Sequence, residues 1–288
     1  MSVVESGRVG QLTPHHAERV DLPGRHGPIA ALRTPGAADA TVLLVPGYTG
    51  SKEDFAPLLD PIAAAGLRAV AIDLPGQYES PGPDDESAYL PGPLGEEVAE
   101  LVGTFDGPVV LLGHSYGGLV ARGAVLAGAP IAGLTLLDSG PRHLPRGMRW
   151  DALSIGEPLL RADGLAAAYV EREKVSARFP VWALLPAELK DFFRARFLAS
   201  APAALLGMAQ GLRTEPDRVD ALAEALAGRP RLVAAGENDD AWHVPEQREM
   251  ARRLDAPFAL VPGAAHSPNI ENPAGLLEVL LPAWRSWR

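Results

Sequence analysis

The sequence predicts an α/β protein with a mostly parallel central sheet, helices on both sheet faces and an inserted helical block. Three observations lead there. Short apolar runs recur along the chain, each stopped by a glycine, a proline or an acidic residue. Segments with apolar residues at helical spacing lie between them. The alternation stops over residues 141–228, where helical patterns occur without a convincing buried strand, and then resumes. Repeated βα units place the strands parallel, with helices covering both faces. On this reading residues 1–140 and 229–288 form the core, and residues 141–228 form a helical insertion that is either a second domain or a helical cap over an active site. Active sites of open α/β sheets lie at the carboxyl ends of the strands, so an insertion after such an end is placed to cover one.

Each element has its own signal. Residues 41–46 (TVLLVP) are continuously apolar before Gly47, as suits a strand buried on both faces. Residues 52–65 carry helical spacing and end at Gly66, and residues 67–73 (LRAVAID) read as the next strand. A loop rich in proline, glycine and acids follows at 74–93, then a helix around 95–105 and a strand at 108–113 (PVVLLG). A helix begins near Ser115, and the strand IAGLTLLD ends at Asp138. Inside the insertion, helical segments are GLAAAYVEREKVSARF, PAELKDFFRARFLAS, APAALLGMAQGL and PDRVDALAEALAG. Strands are then expected at 231–235 and 257–261, with helices at 245–254 and 273–287.

Composition removes several function classes. A chain of 288 residues can bury a full core without disulfides or a structural metal. Its 30 glycines and 28 prolines, about a fifth of the chain, stay below the level at which disorder is the default. Cysteine is absent, which excludes a disulfide scaffold, a thiolate metal site and a cysteine nucleophile. The net charge of −10 argues against a nucleic-acid partner, which wants a basic stripe. No stretch is long and apolar enough for a membrane span, and the N-terminal MSVVESGRVGQLTPHHAER lacks the apolar run of a signal peptide. A cytoplasmic protein with a small-molecule substrate is expected.

The chemistry concentrates at Gly113-His114-Ser115-Tyr116-Gly117, a G-x-S-x-G pattern. A serine nucleophile in such a fold sits on a tight strand-to-helix turn that pushes its hydroxyl out at the top of the sheet. The turn is crowded, so the positions two before and two after the serine must lack side chains. Gly113 and Gly117 meet that need. The pattern alone is weak in a glycine-rich chain, but here a strand precedes it and an apolar helix follows. The plainer alternative is an ordinary βα turn that contains a serine.

Four segments together resemble the α/β-hydrolase superfamily: PGYTGSKEDF (46–55), GHSYGG (113–118), AAGENDDAWHVP (234–245) and PGAAHSPNIENP (262–273). The resemblance covers nearly the whole chain, and the helical insertion resembles that family's cap after the sixth strand. It implies a nucleophile, Ser115, an oxyanion hole made by the backbone N–H groups of Tyr48 and Tyr116, and no metal or organic cofactor. This chain has Pro46 where many relatives have histidine, which leaves the backbone donor in place. The loop also reads as a helix-entry turn capped by Ser51, and both readings hold together.

The fold's chain order is serine, acid, histidine. Of seven histidines only His243 and His266 come late enough, and His266 follows the last predicted strand in a glycine/alanine loop. His243 reads as a surface residue at a helix start. His15 and His16 could mimic a metal pair, yet no carboxylate pattern accompanies them. The resemblance places the acid three residues after Gly236, at Asp239. The following proline, Pro245, lies one position late, so Asp240 is the second choice. Asp138 is a third candidate, read more simply as a turn cap in DSGP. The run Asp84-Asp85-Glu86 lacks cation-loop spacing and reads as a solvated loop.

The predicted reaction is acyl transfer: Ser115 attacks, His266 moves the proton, and the acid orients His266. Aromatic and sulfur-bearing residues of the insertion (Phe179, Trp182, Phe192, Phe193, Phe197, Met208) favour an apolar pocket, with Trp182, Phe192 and Met208 as its predicted lining. Small to medium uncharged carboxylic esters are the expected substrates. The same residues also serve a lactonase, thioesterase, amidase, small peptidase, perhydrolase of haloperoxidase type or biosynthetic acyl-release enzyme. A peptidase would need acids in the cap, where Glu171, Glu173 and Glu188 are available. A non-catalytic ligand-binding member of the fold is the reading from a different class, and here every catalytic slot is filled.

Overall fold

A computed structural model describes residues 10–178 and 180–287. The first nine residues, Phe179 and Arg288 lie outside them, so the reading of Phe179 as a cap aromatic, and that of the first nine residues as lacking a leader, fall outside the described residues. Eight strands form one sheet in the order β1-β2-β4-β3-β5-β6-β7-β8. They are β1 (Glu18–Leu22), β2 (Ile29–Arg33), β3 (Thr41–Val45), β4 (Arg68–Ile72), β5 (Val109–His114), β6 (Gly133–Leu137), β7 (Arg231–Gly236) and β8 (Phe258–Val261). From β4 to β8 every neighbouring pair is parallel, whereas β2 pairs antiparallel with both β1 and β4.

Alternation along the central strands makes two cores. Leu43, Val45, Val70, Ile72 and Leu111 join the core on one face. Val42, Leu44, Ala69, Ala71, Val110 and Leu112 join the other. Both faces are therefore apolar and need helices. Helices α2 (Pro91–Val102) and α3 (Tyr116–Leu126) cover the first face through Val98, Leu101, Leu119 and Val120. On the second, α1 (Ala56–Ala64) and the last helix, α11 (Pro273–Ser286), supply Leu58, Leu59, Ile62, Leu276, Leu280 and Trp284.

The helical insertion runs between β6 and β7. It contains α4 (Met148–Ser176), α5 (Pro180–Leu184), α6 (Ala187–Ala199), α7 (Pro202–Thr214) and α8 (Val219–Ala225). Gly164, with φ 80°, interrupts α4. Helices α9 (Val244–Arg253) and α10 (Pro268–Glu271) lie between β7 and α11.

The predicted strands all appear within one or two residues of their expected ends. The antiparallel pair β1–β2 has no counterpart in the sequence reading. Strand β1 (ERVDL) is exposed over most of its length, so it lacks the apolar run that marks its neighbours. The first half of α4 has no counterpart in the sequence reading either, since exposed Met148 and Ile155, with Arg149 and Asp151 between them, leave it without a clear apolar stripe.

The chain leaves β3 for β4 on one side of the sheet, while β5 pairs on the other side of β3. This is the switch point at which strand-end loops diverge and open a crevice. The loops after β3 and β5 carry Tyr48 and Ser115.

Candidate active site

Ser115 stands between β5 and α3 with φ 55° and ψ −120°. A non-glycine residue rarely adopts positive φ, and the surrounding structure must hold it there. Its amide donates to the Leu137 carbonyl at 2.9 Å, and its carbonyl accepts from Gly118 N–H at 2.9 Å. The turn has no room for neighbours with side chains. A Cβ at Gly113 would run into the Gly117 backbone, and one at Gly117 into the Val45 carbonyl.

His266 brings the other partners together. The Ser115 hydroxyl donates to His266 Nε2 at 2.9 Å, and His266 Nδ1–H donates to Asp239 Oδ1 at 2.8 Å. All three residues are buried. These contacts fix the tautomer: Nδ1 carries the proton and Nε2 is free to accept one. Asp239 is held from several sides. Its Oδ1 also accepts the Ala241 N–H at 2.9 Å, and its Oδ2 accepts Gln247 Nε2 at 2.6 Å. Burial pushes its carboxyl upward, but the hydrogen bonds and charge interactions with His266 and the Ala241 amide outweigh this, so its pKa lies below the ordinary carboxylate value.

Asp240 points elsewhere: it is exposed and pairs with Arg149 at 2.6 Å. Asp138 is also not the partner of His266. It is fully buried beside Asp239, accepts the Gly236 N–H at 2.8 Å, and has φ 44°. Burial first, and the adjacent Asp239 charge second, raise its pKa well above the ordinary carboxylate value and so favour its neutral form. One donor atom from each of Asp138, Asp239 and His266 lies within 4.8 Å of the others. His266 Nδ1 and both Asp239 oxygens are already committed to hydrogen bonds, so this group offers no open ligand set.

Tyr116 follows Ser115 in the chain, and Tyr48 follows Gly47, whose loop approaches Ser115. Tyr116 opens α3, where a first-turn N–H has no intrahelical acceptor. Neither amide donates to another described residue. The loop that carries Tyr48 comes so close that a Cβ on Gly47 would sit 3.4 Å from Ser115 Oγ. Gln77 pins this loop: its Nε2 donates to the Gly47 carbonyl at 2.8 Å and its Oε1 accepts the Leu74 N–H. The Tyr48 phenol is pushed up to about 12 by burial, so it stays neutral.

His114 supports the His266 loop. Its Nε2–H donates to the His266 carbonyl at 2.7 Å. Burial and then the neighbouring His266 lower its pKa to about 4, so it is a neutral donor. Trp242, fully buried, lies 6.4 Å from the His266 ring and donates to the Arg142 carbonyl. Gln77, His114, Trp242 and Gln247 were not singled out from the sequence. Their signal is only their proximity to the motif loops, which is too common to stand out.

The Ser115 hydroxyl opens into a cavity of about 430 Å³ between the sheet ends and the helical insertion. Apolar residues Leu144, Leu153, Leu160, Phe193, Phe197 and Leu205 contribute much of its wall. Of the predicted lining, none of Trp182, Phe192 and Met208 reaches it. Trp182 stacks on Phe193, Phe192 meets Tyr78 edge-on at 5.9 Å, and Met208 is fully buried with its Sδ against Gln77. Adjacent aromatics diverge because successive helical residues point about 100° apart, so Phe193 faces inward where Phe192 does not. The wall is also not uncharged, since it includes Asp54, Arg149, Glu157, Glu171, Arg172 and Arg196. His243 is exposed at the start of α9, and His16 pairs with Asp60 at 2.9 Å. Among the described residues no helix is long and apolar enough to cross a membrane.

A fold with a serine turn at the switch point, and a histidine and acid on later strand ends, defines a class before any comparison is made. The chain belongs to the alpha/beta hydrolase family, whose model matches residues 42–279. Among curated proteins it is similar to a 2-succinyl-6-hydroxy-2,4-cyclohexadiene-1-carboxylate synthase from Salmonella paratyphi B, 27% identical over 85% of this chain and 93% of that one. Its structure resembles a thermophilic esterase from Thermogutta terrifontis, with a TM-score of 0.72 at 24% identity, covering 94% of this chain and 98% of that one. It also resembles a bromoperoxidase from Bacillus anthracis, with a TM-score of 0.73 at 17% identity, covering 93% and 100% of the two chains. At these identities the structural likeness speaks for the fold alone.

Proposed function

We propose that the protein is a serine hydrolase that cleaves carboxylic esters through an acyl-enzyme. One observation carries this reading: the unbroken hydrogen-bond chain from Ser115 Oγ through His266 to Asp239, at 2.9 and 2.8 Å, with the serine facing a cavity. Ser115 Oγ attacks the acyl carbon while His266 Nε2 takes its proton. Negative charge then develops on the carbonyl oxygen, and the Tyr48 and Tyr116 N–H groups stabilise it. One such donor is typically worth about 10²–10³ in rate. His266 returns the proton to the leaving alcohol and next activates a water that releases the acid. Asp239 holds the imidazole in its working tautomer and stabilises the imidazolium. Asp138, whose burial favours its neutral form, disfavours a second charge beside it. The helical insertion acts as the cap of this site, and no metal or organic cofactor takes part in the scheme.

The esterase name of the Thermogutta neighbour is in keeping with this reading. Purified protein should hydrolyse p-nitrophenyl acetate and butyrate, and a fluorophosphonate probe should label Ser115. If turnover does not exceed that of Ser115→Ala and no label attaches, the hydrolase reading fails and a ligand-binding member of the fold takes its place.

A further inference from the structure

The cavity wall contains an uneven set of charges. Each of its carboxylates already has a cation. Asp54 pairs with Arg196 at 2.7 Å, Glu157 with Arg161 at 3.1 Å and also with Arg213, and Glu171 with Lys174 at 2.5 Å. Among the arginines of the wall, Arg196 is thus taken by Asp54, and Arg149 by Asp240. Arg172 remains. It is partly buried on α4, and among the described residues it has no ion-pair partner. Its guanidinium carbon stands 5.6 Å from the centre of the Phe197 ring, and one of its nitrogens lies 3.5 Å from Thr49 Oγ1. Thr49 follows Tyr48, whose amide is the candidate oxyanion donor.

A guanidinium left inside a partly closed, largely apolar cavity is poorly solvated, and an anion that enters restores what water has lost. The planar fork of an arginine matches a carboxylate with two parallel hydrogen bonds. The Thr49 hydroxyl is a further donor on the same side. Phe197 gives the guanidinium a flat apolar support, which limits its rotamers. Burial, and then repulsion from Arg196, depress the Arg172 pKa, in keeping with a cation that lacks its counter-charge.

We propose that Arg172 binds a carboxylate carried by the substrate in addition to the acyl group that reacts at Ser115. The site then selects mono-anionic esters such as half-esters of short dicarboxylic acids, in place of the uncharged esters expected from the sequence. This inference rests on the hydrolase reading and narrows its substrate class. The remaining bulk of the substrate lies against Leu205, Leu206 and Leu212. One surplus cation suits a singly charged group better than a phosphate monoester, which carries nearly two charges at pH 7.

The test compares monomethyl succinate, glutarate and adipate with neutral methyl esters of the same length, such as methyl valerate against monomethyl glutarate. At least one half-ester should exceed its neutral partner in kcat/KM by about ten- to a hundredfold, the usual worth of a hydrogen bond to a charged group. Arg172→Met should remove that ratio, and Arg172→Lys should restore part of it. Thermal melting of each variant controls for folding, with Arg252→Met as a surface-charge control. In a second arm, monomethyl glutarate, a mono-anion at pH 7, should bind Ser115→Ala by calorimetry and not bind Ser115→Ala/Arg172→Met. Inorganic phosphate that binds as tightly as monomethyl glutarate overturns the carboxylate assignment. A neutral ester turned over as well as its half-ester, with fluorophosphonate labelling intact, overturns the anion site and leaves the hydrolase reading standing. Absent labelling and absent turnover of every ester sink the hydrolase reading instead, and the calorimetric arm still decides whether Arg172 binds the anion.

Discussion

The sheet core and the helical insertion solve different problems with different materials. The ends of β3, β5, β7 and β8 carry small, backbone-rich loops in which nearly every group is fixed. Ser115, Asp239 and His266 are buried, and the approach of these loops depends on missing side chains. At Gly236, for example, a Cβ would run into the Ala265 carbonyl, so the acid and histidine loops pass each other only because that position is bare. The insertion works through long side chains on amphipathic helices. It leaves Met148, Ile155, Val170 and Leu184 exposed and turns arginines and aromatics toward the cavity. On the proposed function, reaction geometry tolerates little displacement and so sits on rigid strand ends, whereas substrate choice tolerates more and sits on helices that pack mainly along one face.

Substitutions should reveal this division, the largest effects coming from the strand ends. Ser115→Ala or His266→Ala should lower kcat for p-nitrophenyl esters by about 10⁴-fold or more, without a comparable loss of thermal stability. Asp239→Asn should cost about 10⁴-fold, whereas Asp240→Asn should leave the rate within a few-fold of the parent. Equal effects of the two aspartate variants would mean that the acid has been misassigned.

Stability should follow the same line. Leu43→Ala in the sheet removes a fully buried side chain and should cost about 2–5 kcal/mol in chemical denaturation. Leu184→Ala removes one that is 82% exposed in the insertion and should stay within about 0.5 kcal/mol. Comparable losses at both positions would erase the contrast between the two regions.

The smallest expected effect concerns Asp138, and pH reveals it. Its folded pKa is raised, so the folded state holds this proton more tightly than the unfolded chain does. That contribution is complete below the unfolded value of about 4 and is lost as pH rises toward the folded value. Asp138→Asn keeps the shape and removes the titration. Relative to the parent, it should therefore gain stability between pH 4.5 and pH 7. A pH-independent difference in denaturation midpoint would show that Asp138 ionises normally.

Much of this architecture was legible because burial on both faces writes itself into sequence as continuous apolar runs. The central strands were readable for that reason, whereas the Gly113–Gly117 turn was readable from its bare positions around a serine and His266 from its place late in the chain. The choice between Asp239 and Asp240 was not, because a turn of adjacent acids sends one side chain inward and the other to solvent. Only the packed Ala241 amide and Gln247 decide which. The exposed β1 strand escaped for lack of an apolar run. The pocket aromatics were misplaced because composition does not fix which face of a helix turns inward.

The sequence by itself determined the layered α/β arrangement and the absence of cysteine. These follow from local pattern and residue identity. Only the tertiary structure decided which acid meets His266, that Asp138 lies buried beside it, and that Arg172 of the cavity wall has no counter-charge among the described residues. Each of these depends on distances between residues far apart in the chain, and a charge is unpaired only relative to everything folded around it.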